Sequence, residues 1–177
     1  GVDTTAGTRR CTKKQKQRLQ VGDARAKRVA ILAKRNRKAK RLAFTAIKPT
    51  QAYAHTVNGL PRSLLDKAKT NISQATGMWK PGACSTTVIK WCFGKGTDTN
   101  PRDPRVSMPV QQIVTWMDAW ARMTPAMRKK IARPWVCKYA RLAKAKKKWL
   151  MVTGPLTATI ATLLEMGLKP LGPTKWM

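Results

Sequence analysis

Apolar residues along this chain recur mostly at three- and four-residue intervals, the period of a helix with one face against protein. Val29, Leu32, Ala33, Ala39, Leu42, Ala43, Ala46 and Ile47 form such a stripe, which predicts a helix from Ala24 to about Ile47. Asp23 stands at its N-cap, and Pro49 ends it because a proline disfavours helical conformation in the residue before it. Asn36 interrupts the stripe. A second helix begins at Pro61, carries Leu64, Leu65, Ala68, Ile72 and Ala75, and stops at Gly77 in the C′ position.

Between residues 78 and 106 the glycines and prolines predict a loop-rich region, in which only Thr86 to Phe93 has the β-branched and aromatic content of a strand. Ser107 to Arg122 reads as a third helix, with Pro109 in its first turn and Val110, Ile113, Val114, Met117, Trp120 and Ala121 on one face. Thr124 and Pro125 open another, through Met127 and Ile131. Pro134 breaks or kinks it before it resumes through Val136, Tyr139, Ala140 and Leu142. A last helix, Pro155 to Met166, shows Leu156, Ile160, Leu163 and Leu164 on one side and closes at Gly167. Val2 to Thr8 resembles a short strand. The expected fold is mostly α: a small helical core with a long basic N-terminal arm and helix, and room for one short hairpin or strand. Residues 1–23 would form the extended arm and residues 24–177 the helical domain.

Charge changes this picture from a plain helical domain to a polyanion-binding one. The chain carries 37 Lys and Arg against 7 Asp and Glu, a formal net charge of +30, while 42% of its residues remain hydrophobic. Sixteen of those cations lie between Arg9 and Lys48, where Asp23 is the single acid. Such a block repels itself unless phosphate neutralises it, and each phosphate bound releases counterions, which drives binding without regard to sequence. The candidate nucleic-acid-binding residues are Arg9, Arg10, Lys13, Lys14, Lys16 and Arg18 on the arm, and Lys27, Arg28, Lys34, Arg35, Arg37, Lys38, Lys40 and Arg41 on the helix. A second cluster comprises Lys144, Lys146, Lys147 and Lys148. The arm, Arg9 to Gln20, shows no apolar face and has no reason to be ordered without phosphate.

Trp79, Trp91, Trp135, Trp149 and Trp176 each lie within three residues of a Lys or Arg, where a base or ribose could stack, although ordinary burial accounts for most of them. Trp116 and Trp120 have the spacing of core residues. Catalysis finds little support. Asp98 and Asp103 are the one close pair of carboxylates outside a helix, and the intervening Pro101 and Arg102 suggest turn chemistry. Gly94-Lys95-Gly96 lacks the spacing of a phosphate-cradling loop.

The four cysteines, Cys11, Cys84, Cys92 and Cys137, form no C-x-x-C pair and read as free thiols of a reducing intracellular compartment. Cys84, Cys92 and the lone His55 offer three ligands where a closed zinc site takes four, so ordinary core roles are favoured and neither metal nor cofactor is expected. The run from Gly154 to Leu168 is too short to span a bilayer, and no membrane association is expected. The start at Gly1 leaves room for an upstream segment and leaves the compartment open.

Arg28 to Leu60, RVAILAKRNRKAKRLAFTAIKPTQAYAHTVNGL, resembles the region downstream of the polymerase active site in reverse-transcriptase proteins of non-LTR retroelements, particularly a divergent protist group. Pro49, Tyr53 and Gly59 match its P-x-x-x-Y-x-x-x-x-x-G element. Asp103, Pro104 and Trp116 resemble a D-P … W element, Gly154 to Trp176 resembles the family's tail, and Gly1, Val2 and Asp3 resemble the turn after the catalytic strand. The resemblance implies a thumb and C-terminal extension that grip template and primer by their backbones. The Y-x-D-D or F-x-D-D catalytic motif is absent.

Three readings follow. The chain is expected to be a non-catalytic RNA-binding structural subunit of a large, ribosome-like ribonucleoprotein, beside other proteins of that assembly. Alternatively it is a fragment of an active reverse transcriptase. The third reading is a cationic linker on an acidic protein or membrane assembly.

Overall fold

The computed structural model describes residues 10–94, 96 and 101–177, and these are mostly helical with one small antiparallel hairpin. The strand expected at Val2 to Thr8, together with Arg9 and Asp98, lies outside the described residues. Two compact units divide the chain. Thr12–Tyr53 and Arg62–Met108 make the first; Arg10 and Cys11, Ala54–Pro61 and Pro109–Met177 belong to the second.

In the first unit, α1 runs Lys13–Arg35 and buries Gln15, Leu19, Gly22, Ala26, Val29 and Ala33, a stripe at alternating steps of four and three. The arm expected over residues 1–23 is therefore helical from Lys13, not extended. Its apolar face was hidden because Gln15 and Gly22 fill positions that a hydrophobic pattern leaves blank. Leu19 is only 1% exposed, and its carbonyl accepts from the Asn71 amide at 3.5 Å. Asp23 is no N-cap. It sits mid-helix and pairs with Lys27 one turn on, 3.0 Å away.

The single helix expected to Ile47 breaks at Asn36, whose backbone is extended and whose side chain accepts from the Lys38 N–H at 3.0 Å. A 3₁₀ turn, Arg37–Arg41, and a π turn, Ala43–Ile47, then lead into α2, Lys48–Ala52. Leu32 already faces solvent on α1, beside the buried stripe, and beyond the break Leu42 faces solvent whereas Ala43 and Ile47 are buried. Pro49 lies in the first turn of α2 rather than ending a helix, where its missing N–H costs least.

The helix α3, His55–Asn58, belongs to the second unit, and α4, Arg62–Gln74, to the first. On α4, Leu65, Ala68 and Ile72 are buried as the pattern predicts. The segment expected to be a strand is instead helix α5, Ser85–Phe93, because a short apolar run fits either period and here Gly94 at φ +71° closes a helix. Ala26, Val29, Ala43, Ile47, Ile72, Ala75 and Ile89 form the core of this unit. Phe44 and Phe93 meet edge to face against it, their centroids 4.7 Å apart.

Gly77 carries the chain from α4 back against α1 at φ +73°, and a Cβ placed there would lie 2.9 Å from the Ala30 carbonyl oxygen. Gly77→Ala thus combines left-handed strain with a backbone clash and is expected to cost about 2 kcal/mol or more in denaturant unfolding. Gly82→Ala has a similar φ of +84° but open space, and is expected to cost less. Equal costs would contradict this packing.

The helix α6, Pro104–Arg122, starts three residues earlier than the pattern predicts, so Pro109 lies inside it. Asp103 sets that start: its carboxylate accepts from the Arg105 N–H at 2.9 Å and pairs with Lys69 at 3.0 Å. The first turn belongs to the first unit and the remainder to the second. The buried face is also rotated from the expected one, with Gln112 and Trp116 inside and Val114 and Met117 exposed.

In the second unit α7 spans Pro125–Lys144, and Thr124 caps it by accepting from the Met127 N–H at 3.3 Å. Pro134 does not end the helix. A 3₁₀ turn, Lys148–Met151, leads to α8, Pro155–Glu165, and then to the hairpin of β1, Pro170–Gly172, and β2, Lys175–Trp176. Trp116, Trp135, Leu142, Ile160 and Leu163 form the core, with the Trp116 and Trp135 rings 5.4 Å apart. Both indole N–H groups tie the hairpin down: Trp116 donates to the Pro173 carbonyl at 2.8 Å and Trp135 to that of Pro170 at 3.0 Å.

Candidate nucleic-acid interface

Helix α1 projects Lys13, Lys14, Lys16, Lys27 and Arg28 to solvent because the buried stripe occupies its opposite side. Arg18 is half-buried, its guanidinium 3.8 Å from the centre of the Tyr53 ring. Where α1 ends and the chain turns at Asn36, the cations crowd together. Lys34, Arg35, Arg37, Lys38 and Arg41 are all exposed within eight residues.

None of these five forms an ion pair among the described residues, and the described acids of the unit are engaged elsewhere. Asp23 pairs with Lys27, Asp103 with Lys69 and Asp66 with Arg105, at 3.0, 3.0 and 3.1 Å. Lys40 differs from its neighbours. It is half-buried and donates to the Cys92 carbonyl at 2.6 Å, at the C-terminal end of α5, so much of its role is to hold that helix.

Arg10, expected on a free arm, belongs to the packing of the second unit. It donates to the Gly59 carbonyl at 2.7 Å and lies 5.0 Å from the centre of the Trp149 ring. Lys144 closes α7, with Lys146 and Lys147 exposed beyond it and Lys148 half-buried in the 3₁₀ turn.

Several cations escaped the sequence pattern. Exposed Lys129, Lys130, Arg133 and Arg141 stud α7, which contains no acid; beyond the short run Arg128 to Lys130 they stand singly among apolar residues. Lys48 and Arg102 both approach the Phe44 ring, at 5.9 and 5.0 Å. Burial, and then the Arg102 charge, hold the Lys48 ammonium below its usual pKa range. Packing cations this closely costs electrostatic energy that a bound anion would relieve.

Among the tryptophans expected beside cations, Trp135 is fully buried, and Trp149 and Trp176 pack against the second unit's core. Trp91 is the exception at 80% exposed.

Other chemistry is sparse. None of the four cysteines is in a disulfide, and no group of three or more His, Cys, Asp or Glu among the described residues could hold a metal ion. No helix among them is long and apolar enough to cross a membrane. Cys84 stands at the N-cap of α5, where hydrogen bonds from Thr87, and then from Thr86, bring its thiol pKa down from 9.0 to about 7. The thiolate is the nucleophile, so alkylation of Cys84 by iodoacetamide is expected to reach half its maximal rate near pH 7, read by mass spectrometry of its peptide. A midpoint near pH 9 would contradict that environment.

No family model, no curated protein and no solved structure matches the chain. The likeness to reverse-transcriptase thumb regions therefore stands on the residue patterns alone.

Proposed function

We propose that this chain is a non-catalytic RNA-binding subunit of a large ribonucleoprotein, holding phosphate backbone through α1 and the corner from Lys34 to Arg41. One observation carries the reading: five exposed cations crowd one folded corner, and no described acid pairs with them. A fold that concentrates like charge in this way is offset most simply by a polyanion, which neutralises many cations at once.

Helical backbone fixes where the cations stand, so the interface is built before the nucleic acid arrives. Contacts of this kind position a protein on RNA without reading bases, which suits a structural subunit. The same grip would serve template and primer in a thumb-like element of a longer polymerase.

Titrating the full chain with unrelated RNAs across a salt series tests the proposal. Affinity is expected to fall about 10³-fold or more between about 50 and 200 mM salt, with little preference among sequences. A near-flat salt dependence would overturn it and favour protein packing.

A further inference from the structure

Beside the basic corner, within the first unit, lies a cleft of about 430 Å³. Its walls come from four places. The last turn of α1 supplies Lys34, the 3₁₀ turn supplies Arg37 and Lys40, the turn after α4 supplies Met78, and α5 supplies Trp91. Resting on the phosphate-binding reading above, we infer that this cleft takes one unpaired nucleotide of an RNA strand, its base stacked on Trp91 and its flanking phosphates on Lys34 and Arg37.

Large aromatic side chains are normally the most economical to bury, so an indole left 80% exposed beside three cations is unusual. The walls around it are held. The Gly77 turn sits against α1, the Thr76 hydroxyl donates to the Ser73 carbonyl at 2.7 Å and accepts from the Met78 N–H at 3.1 Å, and the Met78 sulfur lies 3.5 Å from that of Cys92. Lys40 fixes the end of α5 that carries Trp91.

An aromatic face with an apolar floor and a cationic rim is the chemistry of a base-stacking platform, and any base can use it. The volume falls in the range of small-ligand sites. A base inside a duplex cannot present its face to Trp91, because its neighbours already cover both sides. The cleft therefore adds a preference for single strands to a grip that phosphates alone would give equally to duplexes.

The test compares the full chain with its Trp91→Ala and Trp91→Phe variants on three probes of equal length: a single-stranded RNA, an RNA duplex, and the same single strand with abasic sites. Trp91→Ala is expected to weaken single-strand binding about tenfold and to leave duplex binding within about twofold, with Trp91→Phe retaining most of the difference. The abasic strand should bind the unaltered protein as weakly as the ordinary strand binds Trp91→Ala.

Equal losses on single strand and duplex, or no loss on either, overturn the inference. Should the alanine variant misfold, the abasic comparison on the unaltered protein decides alone, and equal binding of abasic and ordinary strands rejects the cleft. Steep salt dependence with no Trp91 or base effect sinks the cleft and spares the phosphate reading. Flat salt dependence removes both.

Discussion

Replacing Lys34, Arg35, Arg37, Lys38 and Arg41 together by Gln is expected to weaken binding to single-stranded RNA by about 10³-fold at ~0.1 M salt. The magnitude follows from counterion release. Each phosphate contact contributes about 0.7 to the slope of log affinity against log salt, so five lost contacts flatten that slope by about 3.5. Fold stability should hold or rise, because these side chains are exposed and form no ion pairs among the described residues, so removing them relieves repulsion. A slope change below one, or a loss of affinity explained by unfolding, would contradict the assignment of phosphate contacts to this corner.

Trp135→Ala is expected to have the largest effect on stability. The indole is fully buried in the core of the second unit, lies tilted against the Trp116 ring at 5.4 Å, and donates its N–H to the Pro170 carbonyl that anchors the hairpin. Truncation leaves a cavity and a carbonyl without its donor, a combined cost of about 4 kcal/mol. Since whole domains are stable by only about 5–15 kcal/mol, this is a large share. The thermal midpoint should fall by roughly 10 °C by circular dichroism. Trp91→Ala, at an exposed position, should scarcely move it; a shift as large as that of Trp135→Ala would mean that the exposed ring carries packing energy.

How much of this was legible in the sequence depended on whether apolar residues alone marked the buried face. They do so on α4 and α8, where aliphatic residues recur at helical spacing and Gly77 and Gly167 mark ends; on α7 Thr124 marks the start, but Met127 and Val136 of the expected face are exposed and Trp135 is buried instead. On α1 they do not. Gln15 and Gly22 occupy buried positions, so the first turns read as a charged arm. Asn36 did flag trouble in the long helix, but the periodicity continues across it, and only the backbone reveals that the chain turns there. The helix α5 shares its short apolar run with a strand pattern, and length could not arbitrate.

The candidate interface divides in the same way. Charge runs are local in sequence, so the corner from Lys34 to Arg41 was visible at once, whereas the cations of α7, a short run from Arg128 to Lys130 and then single residues among apolar ones, stand out less. Arg10 reads as part of a basic run until Gly59 and Trp149 are brought to it by the fold. The cleft at Trp91 gathers residues from positions 33 to 92, and no pattern along the chain distinguishes its exposed tryptophan from the buried Trp135.

Ultraviolet crosslinking of the native protein in its own cell extract, followed by mass spectrometry of the crosslinked peptides, tests the central claim most directly. RNA adducts are expected on the peptides covering Lys34 to Arg41, with the attached RNA drawn from an abundant structural species. Adducts confined to other segments, or none anywhere while the corner crosslinks to protein, would contradict it.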